Sequence, residues 1–569
     1  MDPSRARLLA RTVARYLLFT LLGLLLLDRV TGMGTLLSFL SLAGVTAVLF
    51  LLLAVDSLLN TTQAASSRRR ASAWTWFGDD RWERTIVVGL VIVGLVLRVY
   101  ALGEQSFWFD EAITTNAAIS FLEYGRPVFP SGYTYWRAFT HTLTVSVSLL
   151  IFDTSEWAAR FPSVLFGGGS ILATYWLGRE VGGRRVGLLA AGLLTFATWE
   201  IAWSRQARMY QLFQFLYLLA VVLLLRIERH GLENKRRLGT LVVVVALAAA
   251  THSIGYILLP VVVVFLSLTA VLDNTVTRRT AGLIIGVAVA LTVLFEFVGP
   301  GVTGAVETVT AADVNYWDAY ISWGASEFHA FFYLAVVGAT LTAYTGAYRA
   351  GLLCGLAVLP SAVVLSFSTQ LFATRYLYFV LPFLFVWATV VFVFVFDLLA
   401  ESLPPIRLLR LNSAQRRTIG SIGLICLLAL GGGFTVVPQQ DYQLGVNAPQ
   451  PDFASAYEHI NANRGADDVV VAGWTAPGVY YAGGVNYWLA HDLTGTGGEY
   501  TVSGDERYSG ATPITSADEL ATVLAEEEQV WIVLDQVAYF RQSERTQRLL
   551  SNETQVDHRG GGIVVYKQT

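Results

Sequence analysis

Over the first 440 residues, long apolar stretches alternate with short turns that carry arginine. Stretches such as 34–59 and 374–396 run for about twenty residues or more with almost no charge, the length a helix needs to cross a hydrocarbon layer roughly 30 Å thick. The pattern predicts spans at roughly 8–27, 34–59, 85–102, 161–178, 187–203, 210–226, 238–252, 254–272, 281–298, 329–347, 350–368, 374–399 and 418–437, about 13 transmembrane helices in all. The stretch 138–152 is apolar enough to make another, and arginine placement decides against it. Arginine collects at 5–15, 68–84, 179–185, 226–237, 278–279, 349 and 407–417. If 138–152 does not span, all these clusters fall on one side, which the positive-inside rule makes cytoplasmic. If it spans, every later cluster flips outward. The segment, with His141 and several threonines, is therefore expected to lie in the outer interface as an amphipathic helix. An odd number of crossings from a cytoplasmic N-terminus puts the C-terminus outside, together with the loops 103–160 and 299–328.

From about residue 450 the texture changes. DDVVVAGW, QVWIVLD and GIVVYK read as short buried strands, and FASAYEHINANR and SADELATVLAEE as amphipathic helices. Strands alternating with helices imply a small α/β domain. The expected organisation is an N-terminal hairpin with a basic linker (1–84), a transmembrane domain (85–440) and an extracellular α/β domain (441–569).

Composition agrees with a polytopic α-helical membrane protein. The chain is 54% hydrophobic and 14% charged, with a mean hydropathy of +0.53, too little charge to cover a soluble globular surface. Cys354 and Cys426 both sit in apolar stretches, so no disulfide framework is expected. Only Lys235 and Lys567 break an otherwise all-arginine set of bases. From Asp441 to Thr569 there are 18 acids against 7 bases, a net −11. An acidic, lysine-poor outer domain points to a high-salt organism, a haloarchaeon, because excess carboxylates keep a surface hydrated. No phosphate loop or dinucleotide fingerprint stands in a strand-to-helix setting, and nothing suggests a nucleic-acid partner.

The sharpest local feature is Ser106-Phe107-Trp108-Phe109-Asp110-Glu111-Ala112, just outside the third span. Two adjacent carboxylates after three aromatics could supply a general base or hold a divalent cation. They could equally offset a helix dipole beneath an aromatic belt. A second group, Trp199-Glu200-Ile201-Ala202-Trp203-Ser204-Arg205-Gln206-Ala207-Arg208-Met209-Tyr210, sits at the outer ends of the fifth and sixth spans. Its arginines suit an anionic phosphate, or Glu200 could pair with one of them to close the loop. His252, Arg375, Tyr376 and Tyr378 fall at the same outer level. All candidates lie on one face, far from any cytoplasmic nucleotide. An enzyme there needs an activated donor that enters from the bilayer, and a lipid-linked phosphate fits.

FWFDEA, then EWAARFPSVLFGGGSILATYWLGREVGGRRVGLLAAGLL, then ATWEIAWSRQARMYQLFQF, and later ATHSIGYILLP and FATRYLYFVLP, together resemble the GT-C glycosyltransferase superfamily. The resemblance covers roughly residues 85–400 and is strongest to the dolichyl-phosphate-mannose-dependent and lipid A aminoarabinose transferase-like branch. It implies a hexose, mannose in the first instance, moved with inversion from a polyprenyl or dolichyl phosphate to a protein or surface-glycan acceptor outside the cell. It implies catalytic roles for Asp110, Glu111 and Glu200, and donor-phosphate binding by Arg205, Arg208, Arg375, Tyr376 and His252. Some relatives use Mg or Mn, for which Asp110, Glu111 and His252 could supply ligands. Two departures narrow the acceptor. AGWTAPGVYY is not the WWDYG-type motif of oligosaccharyltransferases, and the loop 299–328 is too short for the β-trefoil of eukaryotic protein O-mannosyltransferases. The competing reading is a transporter or flippase of lipid-linked glycans, which would need ionisable positions at mid-membrane depth.

Overall fold

The computed structural model describes residues 81–230, 234–272, 278–298, 315–328, 330–344, 347–368, 372–402, 423, 433–434, 451–490 and 500–569. The expected spans 8–27 and 34–59, and nearly all of 418–437, lie outside the described residues. In chain order the helices are α1 (Arg81–Val99), α2 (Phe109–Tyr124), α3 (Phe139–Phe152), α4 (Glu156–Gly182), α5 (Arg184–Phe196), α6 (Thr198–Trp203), α7 (Tyr210–His230), α8 (Lys235–Thr251), α9 (Leu258–Leu272), α10 (Arg278–Val298), α11 (Trp317–Phe328), α12 (Ala330–Tyr344), α13 (Tyr348–Ser368), α14 (Leu381–Ser402), α15 (Phe453–Asn463), α16 (Thr475–Ala482), α17 (Ala517–Glu526), α18 (Gln536–Phe540) and α19 (Glu544–Glu553). Short 3₁₀ turns, Ser253–Ile257 and Thr374–Val380, lead into α9 and α14.

Among the described residues, four stretches are long and apolar enough to cross a membrane: Tyr210–His230, Ser253–Val271, Tyr348–Phe367 and Thr374–Asp397. Helix α3 has 14 residues, about 21 Å at 1.5 Å per residue, short of the roughly 30 Å a crossing needs. One expected span is broken. The apolar run 187–203 leaves the helical conformation at Ala197, with φ −66° and ψ 120°. Ala197 bridges to Phe434, and the Thr198 N–H donates to the Gly433 carbonyl at 2.9 Å. Backbone groups freed by such a break are tolerated where other protein backbone satisfies them. The break places Glu200 on the six-residue α6 rather than in a long helix.

The chain forms two compact units. The first holds 81–97, Gly167–Ile201 and the described residues of Tyr210–Val437. Helix α7 is buried nearly all round, from Tyr210 to Ile227, as its largely apolar sequence requires. Helices α12 and α14 approach so closely that a Cβ at Gly338 would run into the Trp387 carbonyl. The arginine turns are matched by carboxylates: Arg185 with Asp397 at 2.7 Å, Arg226 and Arg229 with Glu180 at 3.3 and 2.5 Å, and Arg349 with Glu228.

The second unit joins Arg98–Phe166, Ala202–Met209 and 451–569. Its sheet contains β1 (Val469–Ala472), β2 (Tyr487–Leu489), β5 (Thr512–Ile514), β6 (Val530–Asp535), β7 (Thr554–Gly560) and β8 (Ile563–Gln568), ordered β5-β2-β1-β6-β8-β7. The first four run parallel and the last two are antiparallel. The central strands VVVA and VWIVL are apolar throughout, as in parallel sheets covered on both faces. The pair β3 (Thr501–Val502) and β4 (Asp505–Glu506) stands apart. Helix α2 ends at Gly125, which takes the left-handed conformation at φ 70° and donates its N–H to the Phe121 carbonyl. That conformation costs glycine nothing.

Candidate active site

In the second unit, four consecutive residues, Arg205 to Arg208, each grip the 98–114 stretch. The Arg205 guanidinium donates to the carbonyls of Arg98 at 3.2 Å, Ala101 at 3.3 Å and Tyr100. These are carbonyls at and just beyond the C-terminal end of α1, which have no further helical turn to bond. Gln206 accepts the indole N–H of Trp108 at 2.7 Å. The Ala207 N–H donates to Glu111 Oε1 at 2.7 Å. Arg208 Nη1 donates to the Asp110 carbonyl and to Thr114 Oγ1, both at 3.0 Å, and Nη2 lies 3.4 Å from Asp110 Oδ2.

Asp110 and Glu111 are neighbours in sequence and different in surroundings. Asp110 stands in the first turn of α2, where the helix dipole favours an anion, and its side chain is 20% exposed. Glu111 is fully buried, and Arg160 meets it with a fork of two bonds at 2.8 Å. Arg160 also donates to the carbonyls of Leu102, Gln105 and Ser106, at 3.0, 2.8 and 3.0 Å. Glu111 and Arg160 thus tie the loop before α2 to α4. His141 of α3 is buried beside this group. Burial, and next the Arg208 charge, push its imidazole down to about 3, so it stays neutral at pH 7. The Phe107 N–H donates to the Tyr481 hydroxyl at 2.7 Å, which itself donates to Glu156 at 2.9 Å. Burial and the Glu156 carboxylate push that phenol well up.

The remaining candidates belong to the first unit. Glu200 is buried and accepts from Gln214 at 2.9 Å, and its carbonyl accepts from Tyr378 at 3.1 Å. It therefore joins a glutamine–tyrosine network. Arg375 donates from Nε to the Tyr210 hydroxyl at 3.1 Å and lies 5.5 Å from the Tyr376 ring centre. The rings of Tyr210, His252 and Tyr376 stand 5.9 to 6.3 Å from one another. Arg375, Tyr376 and His252 are thus brought together, with Tyr210 added to them.

The sequence reading missed Arg160, although it stands within EWAARFP. An arginine entering an apolar stretch needs a buried counter-charge, and Glu111 supplies it. Arg205, an expected phosphate ligand, also clasps the backbone carbonyls at and just beyond the end of α1. Arg160 and Ala207 occupy Glu111, His252 Nδ1 accepts the Ile254 N–H at 3.2 Å, and Asp110 faces Arg208. Among the described residues no group of three or more His, Cys, Asp or Glu is arranged around a common point.

Residues 137–297 match the sequence profile of the dolichyl-phosphate-mannose-protein mannosyltransferase family. Comparison with curated protein sequences finds no match. Among solved structures, ArnT of Cupriavidus metallidurans in the apo state aligns with a TM-score of 0.55 and 14% identity over 85% of this chain and 98% of that one. The same protein bound to undecaprenyl phosphate gives 0.53 and 14% over 86% and 98%. The Archaeoglobus fulgidus oligosaccharyltransferase AglB, in complex with an inhibitory peptide and a dolichol-phosphate, gives 0.52 and 12% over 86% and 74%. The chain has the GT-C glycosyltransferase fold. Within the GT-C fold, the four long apolar helices among its described residues make it a multi-pass membrane protein.

Proposed function

We propose that this GT-C protein is a glycosyltransferase that takes a hexose, in the first instance mannose, from a polyprenyl or dolichyl phosphate and delivers it to a glycan or protein acceptor. The observation that carries the reading is the Asp110–Arg208 arrangement. A partly exposed carboxylate on a helix N-terminus is aimed by an arginine that the backbone holds in place. Asp110 accepts the proton of the acceptor hydroxyl as that oxygen bonds to the anomeric carbon. The bond from the anomeric carbon to the phosphate oxygen breaks in the same step, and the lipid phosphate leaves with the electron pair. Such a displacement inverts the anomeric centre and needs no covalent enzyme intermediate.

Glu111, with both oxygens engaged, acts by positioning α2. The Arg375, Tyr210, Tyr376 and His252 cluster supplies a guanidinium and hydroxyls suited to the donor phosphate. Glu200 holds its own network together beside that cluster on α7. The active face is assigned to the outside of the cell by the arginine distribution, with about 13 crossings and the α/β segment extracellular. The family profile and the lipid phosphates bound by ArnT and AglB support the donor class.

The test is sugar transfer by purified protein from synthetic polyprenyl-phosphate mannose, with the Asp110→Asn variant alongside. Loss of a general base costs about 100-fold or more, so Asp110→Asn should fall at least that far while remaining folded. A variant with parental turnover would remove Asp110 from the chemistry. A folded parent that releases no lipid phosphate but moves lipid-linked glycan across vesicles would establish a transporter instead.

A further inference from the structure

A cavity of about 830 Å³ lies in the second unit, within the range of about 300–1,000 Å³ typical of ligand sites. The chemistry of Asp110 makes no use of it. The C-terminal half of α2, the turn after it and part of α16 form its wall. Four rings line it: Tyr124, Phe129, Tyr480 and Tyr481. Phe107 at 4.9 Å and Tyr481 at 4.8 Å fix the Tyr480 ring edge-on. Phe129 is buried against Tyr133, Tyr135 and Tyr508. Tyr124 is 66% exposed at the mouth. Among the rings stand one amide, one carboxylate and one guanidinium: Asn116, Glu123 and Arg126.

This wall selects a chemistry. A pyranose offers an apolar C–H face that stacks on aromatic rings and a rim of hydroxyls that both donate and accept. Glu123 and Arg126 cancel in net charge, so a phosphate or an acidic ligand gains nothing overall. A lipid tail would desolvate both charges without pairing them. An extended peptide needs an unpaired strand edge, and the turn after α2 is already closed on itself, with Ser120 Oγ bonded to both the N–H and the carbonyl of Val128. The cavity also lies along the catalytic helix. Asn116 is about 9 Å and Glu123 about 20 Å beyond Asp110 at 1.5 Å per residue.

We infer that this cavity binds an oligosaccharide, the glycan chain of the acceptor whose end is presented for transfer. Its role as acceptor rests on the glycosyltransferase reading; the binding itself does not. The test exposes the full-length protein in lipid nanodiscs to a printed array of oligosaccharides, with peptide and lipid arrays beside it. The best-retained oligosaccharide is then titrated against the parent and the variants Tyr124→Ala, Glu123→Gln and Asp110→Asn. Tyr124 and Glu123 are exposed, so their replacement does not threaten folding. The expected result is glycan retention by the parent and by Asp110→Asn, weakened at least tenfold by Tyr124→Ala and by Glu123→Gln. No retained oligosaccharide, retention of peptides or lipids alone, or affinity unmoved by both cavity variants would overturn the inference. Glycan binding that responds to the variants, in a protein that transfers no sugar from polyprenyl phosphates, would sink the catalytic reading and leave the cavity standing.

Discussion

Asp110 and Glu111 were indistinguishable as letters because each is an acid at the start of a helix. A helix turns by about 100° per residue, so neighbours face different surroundings. One carboxylate meets a partly exposed rim and the other a buried arginine, and only packing decides which. Breaking the buried pair should cost about 3–5 kcal/mol, because the survivor keeps an uncompensated charge. Glu111→Gln and Arg160→Met should each lower the unfolding midpoint in detergent sharply, and the double variant should fall by less than their sum. Additive losses would mean that the pair does not act as a unit. His141 gives a pH test of the same region. Its imidazole is held neutral when folded, at about 3, whereas an unfolded histidine takes a proton below about 6.5. The unfolded state therefore binds more protons between those values. The stability contributed by His141 is complete above pH 6.5 and is lost as pH falls toward 3, by about 1.4 kcal/mol per unit at the steepest. A His141→Leu variant should flatten the midpoint-versus-pH curve over pH 4–6; an unchanged slope would show that His141 titrates freely.

The elements that were legible carry their own period. VVVA, VWIVLD and the two amphipathic helices of the α/β segment stand where alternation and apolar runs put them, and Ser516 caps α17 by accepting the Glu519 N–H at 3.2 Å. The break at Ala197 was not legible. Apolar residues continue through Ile201 to Trp203, and the partner that satisfies the broken backbone lies more than 200 residues away, at Gly433 and Phe434. Close helix approach is likewise written only in glycine placement. At Gly338, packing of α12 on α14 leaves no room for a methyl group beside the Trp387 carbonyl. Gly338→Ala must push two helices apart, and overpacking of this kind costs about 1–3 kcal/mol. Gly286 of α10 has nothing near its missing side chain, so Gly286→Ala serves as the control. The thermal midpoint in detergent should drop for the first variant and stay level or rise for the second. Equal midpoints would mean that α12 and α14 can separate freely.

At the scale of the whole chain, texture draws a boundary near residue 441, whereas packing groups the C-terminal residues with the loop that carries Asp110. No periodicity could announce this, since the bonds join residues several hundred positions apart. Ser106 Oγ donates to the Pro451 carbonyl at 2.9 Å and accepts the Phe453 N–H at 3.0 Å. Asn116 donates to the Ala476 carbonyl at 2.9 Å, and Phe109 packs on Trp474 with ring centres 4.7 Å apart. Long-range bonds, and not residue type, decide which side chains remain available. Phe107 and Phe109 bracket the start of α2, Phe107 fully buried and Phe109 partly. Full burial of a phenylalanine side chain contributes about 1.5–3 kcal/mol, and this packing helps to hold α2 in place. Ending the chain at residue 450 should therefore uncover both rings and loosen α2 as well as removing acceptor contacts. Transfer from polyprenyl-phosphate mannose should fall at least 100-fold, and the amides of 107–124 should exchange with solvent far faster than in the full chain. If those amides stay protected while transfer falls, the α/β segment serves the acceptor alone. If both are unchanged, α2 holds its own geometry and the C-terminal contacts are passive.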